Sequence, residues 1–172
     1  TRYRHVTGVQ TCALPILQYG QGLNPQSWVQ IGSDQDTPVS NGKLGVWDTT
    51  TIPDGLYALR LQVVYDDQTV KSATSQITVD NTAPVIFWQY PTTSQTMDTL
   101  SGGRITLQVT AEDQGSLRRV EWYVDGQRIG QSSSAPYLFN WQATHGKHTL
   151  SATAVDLAGN QSTTTPLEIT IP

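Results

Sequence analysis

Apolar and polar residues alternate along most of this chain. Ile105, Leu107, Val109 and Ala111 fall on one face of an extended segment, with Thr106, Gln108 and Thr110 on the other. That period of two is the pattern of a half-buried strand. Val120, Trp122 and Val124 repeat it, and Asp125-Gly126 then supplies two residues suited to a type I′ hairpin turn. Gln127–Gln131 is therefore expected to return as the partner strand. Val85–Phe87, Tyr137–Trp141, His148–Val155 and Leu167–Ile171 complete seven predicted strands between Ala83 and Pro172. Seven short strands in about 90 residues, divided by turn signals, predict an immunoglobulin-like sandwich. No cysteine pair crosses it, so Trp122 and Trp141 are expected to fill its centre.

The first half follows the same grammar with pieces missing. Tyr57, Leu59, Leu61, Val63 and Tyr65 alternate as one long strand, Asp66-Asp67-Gln68 reads as a turn, and Ile77–Val79 as a closing strand. Shorter apolar segments lie at Trp28–Ile31 and Leu44–Trp47. An internal repeat relates the halves: Gly55-Leu56-Tyr57-Ala58-Leu59 and Val63-Val64 match Gly146-Lys147-His148-Thr149-Leu150 and Ala154-Val155 at a constant offset of 91 residues. That offset is the length of one Ig-like domain, so a duplicated module is expected. Pro84 lacks an amide hydrogen and biases Ala83 toward an extended backbone, which makes Val79–Pro84 a short stiff connection. The expected organisation is an all-β chain of two tandem Ig-like β-sandwich domains: a flank at 1–16, an incomplete domain at 17–82 and a complete one of about seven strands at 83–172. The 66 residues from Leu17 to Thr82 fall short of the roughly 100 of such a domain, so the first domain is expected to be truncated at its N-terminus, with a sheet edge left open.

Composition narrows the function classes. The net charge is −4, charged residues make up 14% of the 172, and no basic run exceeds Arg118-Arg119. A nucleic-acid partner is not expected. No apolar stretch is long enough to insert in a membrane. Thr1–Ile16 stands apart: it shows no alternation, holds the single cysteine, Cys12, and carries two of the ten basic residues with no acidic one. This segment resembles the conceptual translation of sequencing-adapter DNA, which makes it a non-native or disordered flank.

Beyond it the residues resemble known families. Tyr19-Gly20-Gln21-Gly22, Asn24-Pro25-Gln26-Ser27-Trp28, Val46-Trp47-Asp48-Thr49, Asp54–Arg60 and Val79–Pro84 are similar to Ig-like units of bacterial extracytoplasmic proteins, above all the C-terminal extension of class A penicillin-binding proteins. Val120–Gly126, Ala135-Pro136-Tyr137, Trp141, Gly146–Leu150 and Ala154–Asn160 resemble a bacterial Ig-like domain found in surface proteins, glycosidases and penicillin-binding proteins. The resemblance implies an extracytoplasmic position at the cell envelope or surface. The catalytic motif set of the penicillin-binding family is not assembled: Ser40-Asn41-Gly42-Lys43 has the Ser-x-x-Lys spacing, but the chain holds no Ser-x-Asn triplet, and Lys71-Ser72-Ala73 is not Lys-Thr-Gly. No catalytic residues are assigned. The expected role is a non-catalytic spacer or docking region, with peptidoglycan or envelope proteins as partners and the C-terminal part of a penicillin-binding protein as the parent. The alternative is a segment of a surface adhesin, or a carbohydrate-binding accessory module of a secreted hydrolase.

Two constellations carry candidate chemistry. Asp80 and Asn81 at the junction, Glu112 and Asp113, and Asp156 are oxygen donors of the kind that calcium needs in sixes to eights. The same residue types are also those that tight turns prefer. Trp88 and Tyr90, two apart just after the junction, either stack on a glycan or pack against the first domain. His145 and His148 point to opposite faces of a strand start and have no third ligand nearby, so they are not expected to hold a metal.

Overall fold

The computed structural model describes residues 14–33, 39, 42–65, 67–98 and 103–172. It is an all-β chain that divides into two compact units, Thr1–Asp80 and Asn81–Pro172. Among the described residues, no helix is long and apolar enough to cross a membrane.

The first unit is one antiparallel sheet built from β1 (Leu14–Gln21), β2 (Val29–Gln30), β3 (Gly55–Val64) and β4 (Val70–Val79), in the order β2-β1-β3-β4. Three aromatic rings pin it. Tyr19 stacks on Trp47 at 4.5 Å between centroids, and Tyr57 meets Trp47 edge-on at 5.8 Å. The buried Tyr57 donates its hydroxyl to the Pro53 carbonyl at 2.8 Å, which satisfies the polar end of an otherwise apolar side chain. Arg60 lays its guanidinium 4.0 Å over the Trp28 ring and donates twice to the Gln18 side-chain oxygen.

Three sequence expectations change here. β1 begins at Leu14 and pairs Leu14–Ile16 with Val64–Gln62, so the last three residues assigned to the flank belong to the sheet. Residues 1–13 lie outside the described residues. β4 runs the full ten residues from Val70, not only Ile77–Val79. Its polar run Lys71–Gln76 has no apolar face to bury, so it is held by its ladder to β3 and stays exposed. Leu44–Trp47 joins no ladder and is followed by a short 3-10 turn, Thr49–Thr51, capped by Asp48.

The second unit is a two-sheet sandwich. One sheet is β10-β7-β5, from β5 (Val85–Tyr90), β7 (Arg104–Glu112) and β10 (Tyr137–Gln142). The other is β6-β13-β11-β8-β9, from β6 (Gln95–Thr96), β8 (Leu117–Val124), β9 (Gln127–Ser132), β11 (Gly146–Asp156) and β13 (Leu167–Ile171). β12 (Gln161–Thr163) pairs with the second half of β11, beyond the half that holds β13. All seven predicted strands are present, and β6 and β12 are additional short ones.

The alternation places the core as expected. Ile105, Leu107, Val109 and Ala111 are buried from one sheet, and Val120, Trp122, Val124, Leu150, Ala152, Ala154, Ile169 and Ile171 from the other. Trp122 and Trp141 are both part of it. Burial of an indole such as that of Trp122 removes on the order of 150–250 Å² from water, a gross gain of about 4–6 kcal/mol. Its N–H is not orphaned: it donates to Ser132 Oγ at 3.0 Å, which in turn donates to the Leu138 carbonyl at 2.7 Å. The Asp125-Gly126 turn has φ values of 52° and 77°, as a type I′ hairpin requires. Gly55 and Gly146, equivalent in the sequence repeat, each open a long strand at φ 144° and 126°. Both values suit glycine alone, which gives the repeat a physical basis.

Candidate functional site

The oxygen donors singled out for calcium fall at strand ends. Asp80 is the last residue of the first unit and Asn81 the first of the second. Glu112 ends β7 on the outward phase of the strand and is exposed. Asp113 is half-buried beyond it and accepts the Gly115 amide at 2.8 Å, closing a tight turn. Asp156 ends β11 fully buried, where a register shift between Val155 and Asp156 turns the strand. It accepts the Gly159 and Asn160 amides at 2.6 and 2.8 Å and the Asn160 side chain at 2.8 Å. Within the second unit, carboxylate oxygens of Asp113 and Asp156 come within 4.8 Å of one another. Glu112 points to the other face of its strand.

The aromatic pair is rearranged by a bulge. Trp88 faces Val109 and Tyr90 faces Gln108, which leaves Gln89 without a partner and shifts the phase of the strand by one. Two residues apart would normally mean one shared face, yet Trp88 turns inward and Tyr90 outward. Trp88 packs on the core, 6.1 Å from the Trp122 ring, and donates its N–H to the Thr165 carbonyl at 3.0 Å. Tyr90 is 48% exposed, and its neighbour on the outer face is Phe87. Trp88 therefore packs within its own unit, and the two do not form an exposed pair.

His148 lies where a strand end meets the hairpin turn. Its Nδ1 is 2.7 Å from Asp125 Oδ2, its Nε2 is 3.0 Å from the Thr144 carbonyl, and Trp141 meets its ring edge-on at 5.1 Å. The imidazole, followed by the Thr149 amide, holds the Asp125 carboxyl below its ordinary value. Beside it, β6, β11 and β13 line a polar cleft of about 490 Å³ that includes Ser94, Thr96, Lys147 and Glu168.

A second cleft, of about 460 Å³, opens at the β8–β9 hairpin, lined by Arg119, Glu121, Arg128, Gln131 and Ser133, with Arg118 at the start of β8. Glu121 organises it. Its carboxylate takes Arg119 Nε at 2.7 Å and the Tyr123 hydroxyl at 2.8 Å, with Arg128 Nη2 at 3.5 Å. The hydrogen bond from Arg119, then that from Tyr123, lowers the Glu121 pKa, so it stays ionised as the fixed counter-charge. In the sequence Arg118-Arg119 stands only as a short basic run. The signal that completes the cleft was present: a two-residue turn at Asp125-Gly126 sets Arg128 opposite Tyr123.

Comparison with known proteins agrees with this architecture. The family model of the Bacterial Ig domain matches residues 84–152. The chain is 27% identical over 157 residues to "Ulvan lyase, long isoform" of Pseudoalteromonas sp. (strain PLSV), a match covering 74% of this chain and 15% of that protein. The chain thus spans about a seventh of that relative's length. Among solved structures it is similar to the fibronectin(III)-like modules of Clostridium thermocellum CbhA, at 21% identity and a TM-score of 0.56, covering 99% of this chain and 82% of the other. What the chain shares with these proteins is an Ig-like, fibronectin(III)-like β architecture, with the bacterial Ig match confined to the second unit.

Proposed function

We propose that this chain is a non-catalytic accessory region of an exported, polysaccharide-degrading bacterial enzyme. The observation that carries the reading is the match to a short stretch of a much longer lyase, one named for the polysaccharide ulvan. A segment that spans so little of an enzyme, and that carries Ig-like units, supports substrate capture or spacing of a catalytic domain, not the chemistry itself. The parentage in a class A penicillin-binding protein rests on sequence resemblance alone, and the matched relative favours the accessory module. Ig-like architecture and this relative both support a place outside the cell.

The test is a fusion. Joined to a polysaccharide lyase catalytic domain, the chain is expected to raise turnover on particulate substrate and leave turnover on soluble substrate unchanged, while the chain alone cleaves neither. A fusion no better than the catalytic domain on either substrate refutes the reading, as does cleavage by the chain alone. Co-sedimentation with insoluble peptidoglycan, without any gain for the fusion, would return the parentage to a cell-wall synthase.

A further inference from the structure

The described part of the chain holds eight lysines and arginines, and three of them line one cleft. Arg119 and Arg128 pair with a single acidic partner, Glu121, and Arg118 lines the same cleft, on the β8–β9 hairpin of a protein whose net charge is −4. Three guanidinium groups against one carboxylate leave the cleft with an excess of two positive charges. Glu121 is the least exposed member of its ion pairs, at 14%, and it fixes the others in place. Its bond to Arg119 uses Nε and leaves both terminal nitrogens of that guanidinium outside the pair. Arg128 is 46% exposed and is further oriented by Gln131 Oε1 at 2.6 Å. Arg118 is exposed and, among the described residues, makes no ion pair within 4.0 Å. Two arginines held by a shared carboxylate, with a third beside them, form a preorganised fork for a planar or tetrahedral anion. Gln131 and Ser133 add uncharged polar groups to the lining.

We propose that this cleft binds the acidic substituents, sulfate ester or carboxylate, of a polysaccharide chain. The inference rests on the accessory-module reading and gives it a substrate class: an acidic glycan, not a neutral one. Charge complementarity carries the choice, since a neutral glycan gains nothing from the excess positive charge and an acidic one gains at every repeat. Surface charges of this kind are screened by salt, so binding is expected to weaken as ionic strength rises past about 0.15 M, where the Debye length is about 8 Å.

Affinity electrophoresis of the 172-residue chain through gels containing dextran, dextran sulfate or alginate tests this. Dextran and dextran sulfate share a backbone and differ in charge, and alginate presents carboxylates in place of sulfates. Retardation is expected in one or both acidic gels and not in dextran. Arg118→Gln with Arg128→Gln is expected to cut that affinity at least tenfold. Both side chains are exposed, so the melting temperature should not move and the loss reads as binding. Lys147→Gln, a cation of the other cleft, should leave retardation intact. Retention of binding in the double variant would overturn the cleft while leaving the accessory-module reading in place. Absence of retardation in both acidic gels would also overturn it, and the fusion assay would judge the wider reading by itself. Equal, arginine-dependent binding to duplex DNA would overturn the assignment to a polysaccharide.

Discussion

Replacing Gly130 by alanine puts a methyl group against the Phe139 ring. Built on the observed backbone, the new Cβ overlaps Phe139 Cε2 and lies 2.7 Å from Cζ and 3.1 Å from Cδ2. Two effects oppose each other. Gly130 is not among the residues with positive φ, so alanine fits the backbone, and restriction of the unfolded chain by itself would stabilise by about 0.4–1 kcal/mol. Overpacking costs about 1–3 kcal/mol when the neighbour cannot withdraw. Phe139 is half-buried but cannot withdraw toward the core, since it stacks on Trp122 at 6.1 Å and 25°, and that indole is fully buried and tied to Ser132. The clash wins, and a net loss of about 1–2 kcal/mol is expected. For a unit of about 90 residues this lowers the melting temperature by roughly 4–16 °C, taking about 4–8 °C per kcal/mol. Thermal unfolding of the whole chain, followed by near-ultraviolet circular dichroism, should show the transition of the second unit moving and that of the first unchanged. In a Phe139→Ala background the same substitution should be neutral or mildly stabilising, a coupling of about 1–3 kcal/mol. A raised midpoint in the wild-type background, or an equal cost in the Phe139→Ala background, would refute the reasoning.

Other expectations are simpler to state. Because the folded-state pKa of Asp125 is depressed, its carboxylate contributes stability in full above the unfolded-state value near 3.8 and loses it as pH falls through the folded one. The urea midpoint of the second unit should therefore fall in that acid range, and Asp125→Asn, which keeps the tolerance for positive φ, should flatten part of the decline; an unaltered slope would contradict it. Trp88→Ala removes a core contact and the bond to Thr165, so a loss of about 2–4 kcal/mol is expected in denaturant unfolding. Tyr90→Ala should stay within about 0.5 kcal/mol of wild type, and equal costs at the two positions would argue against the bulge.

How far the sequence speaks depends on what each residue's neighbours are. β7 and β8 are legible because burial on one face imposes a period of two that nothing else produces. The Asp125-Gly126 turn is legible because few residues tolerate its dihedrals. β4 is not, since Lys71–Gln76 is held through its backbone, and backbone pairing leaves no mark on side-chain chemistry. The inward turn of Trp88 was hidden for a related reason. A bulge at Gln89 is a property of two strands in register, and alternation within one strand assigned Trp88 and Tyr90 to the same side. The pairing of His148 with Asp125 spans 23 residues and two strands, and it becomes visible only once β8 and β11 lie side by side. The arginine cleft stands between these cases. Its members come from one hairpin whose turn was read correctly, and following the register through that turn would have gathered Arg128 with Glu121.

The pairing of β6 with β13 has a mechanical consequence. These are the one parallel pair among the described strands, with Gln95 beside Ile169 and Thr96 beside Thr170. The contact is extended by the Met97 amide on the Thr170 carbonyl and the Glu168 amide on Ser94 Oγ, both at 3.0 Å. Tension applied at Asn81 and Pro172 draws β6 toward its N-terminal side and β13 toward its C-terminal side. Parallel neighbours pulled this way slide along their length, so their cross-links are strained together. An antiparallel hairpin under the same pull opens one rung at a time. Once the load has passed β5, which precedes β6 and is held by β7, this parallel pair yields at a force set by several bonds acting at once, which is what a tether needs if it is to hold its length while one end is gripped and the other is dragged.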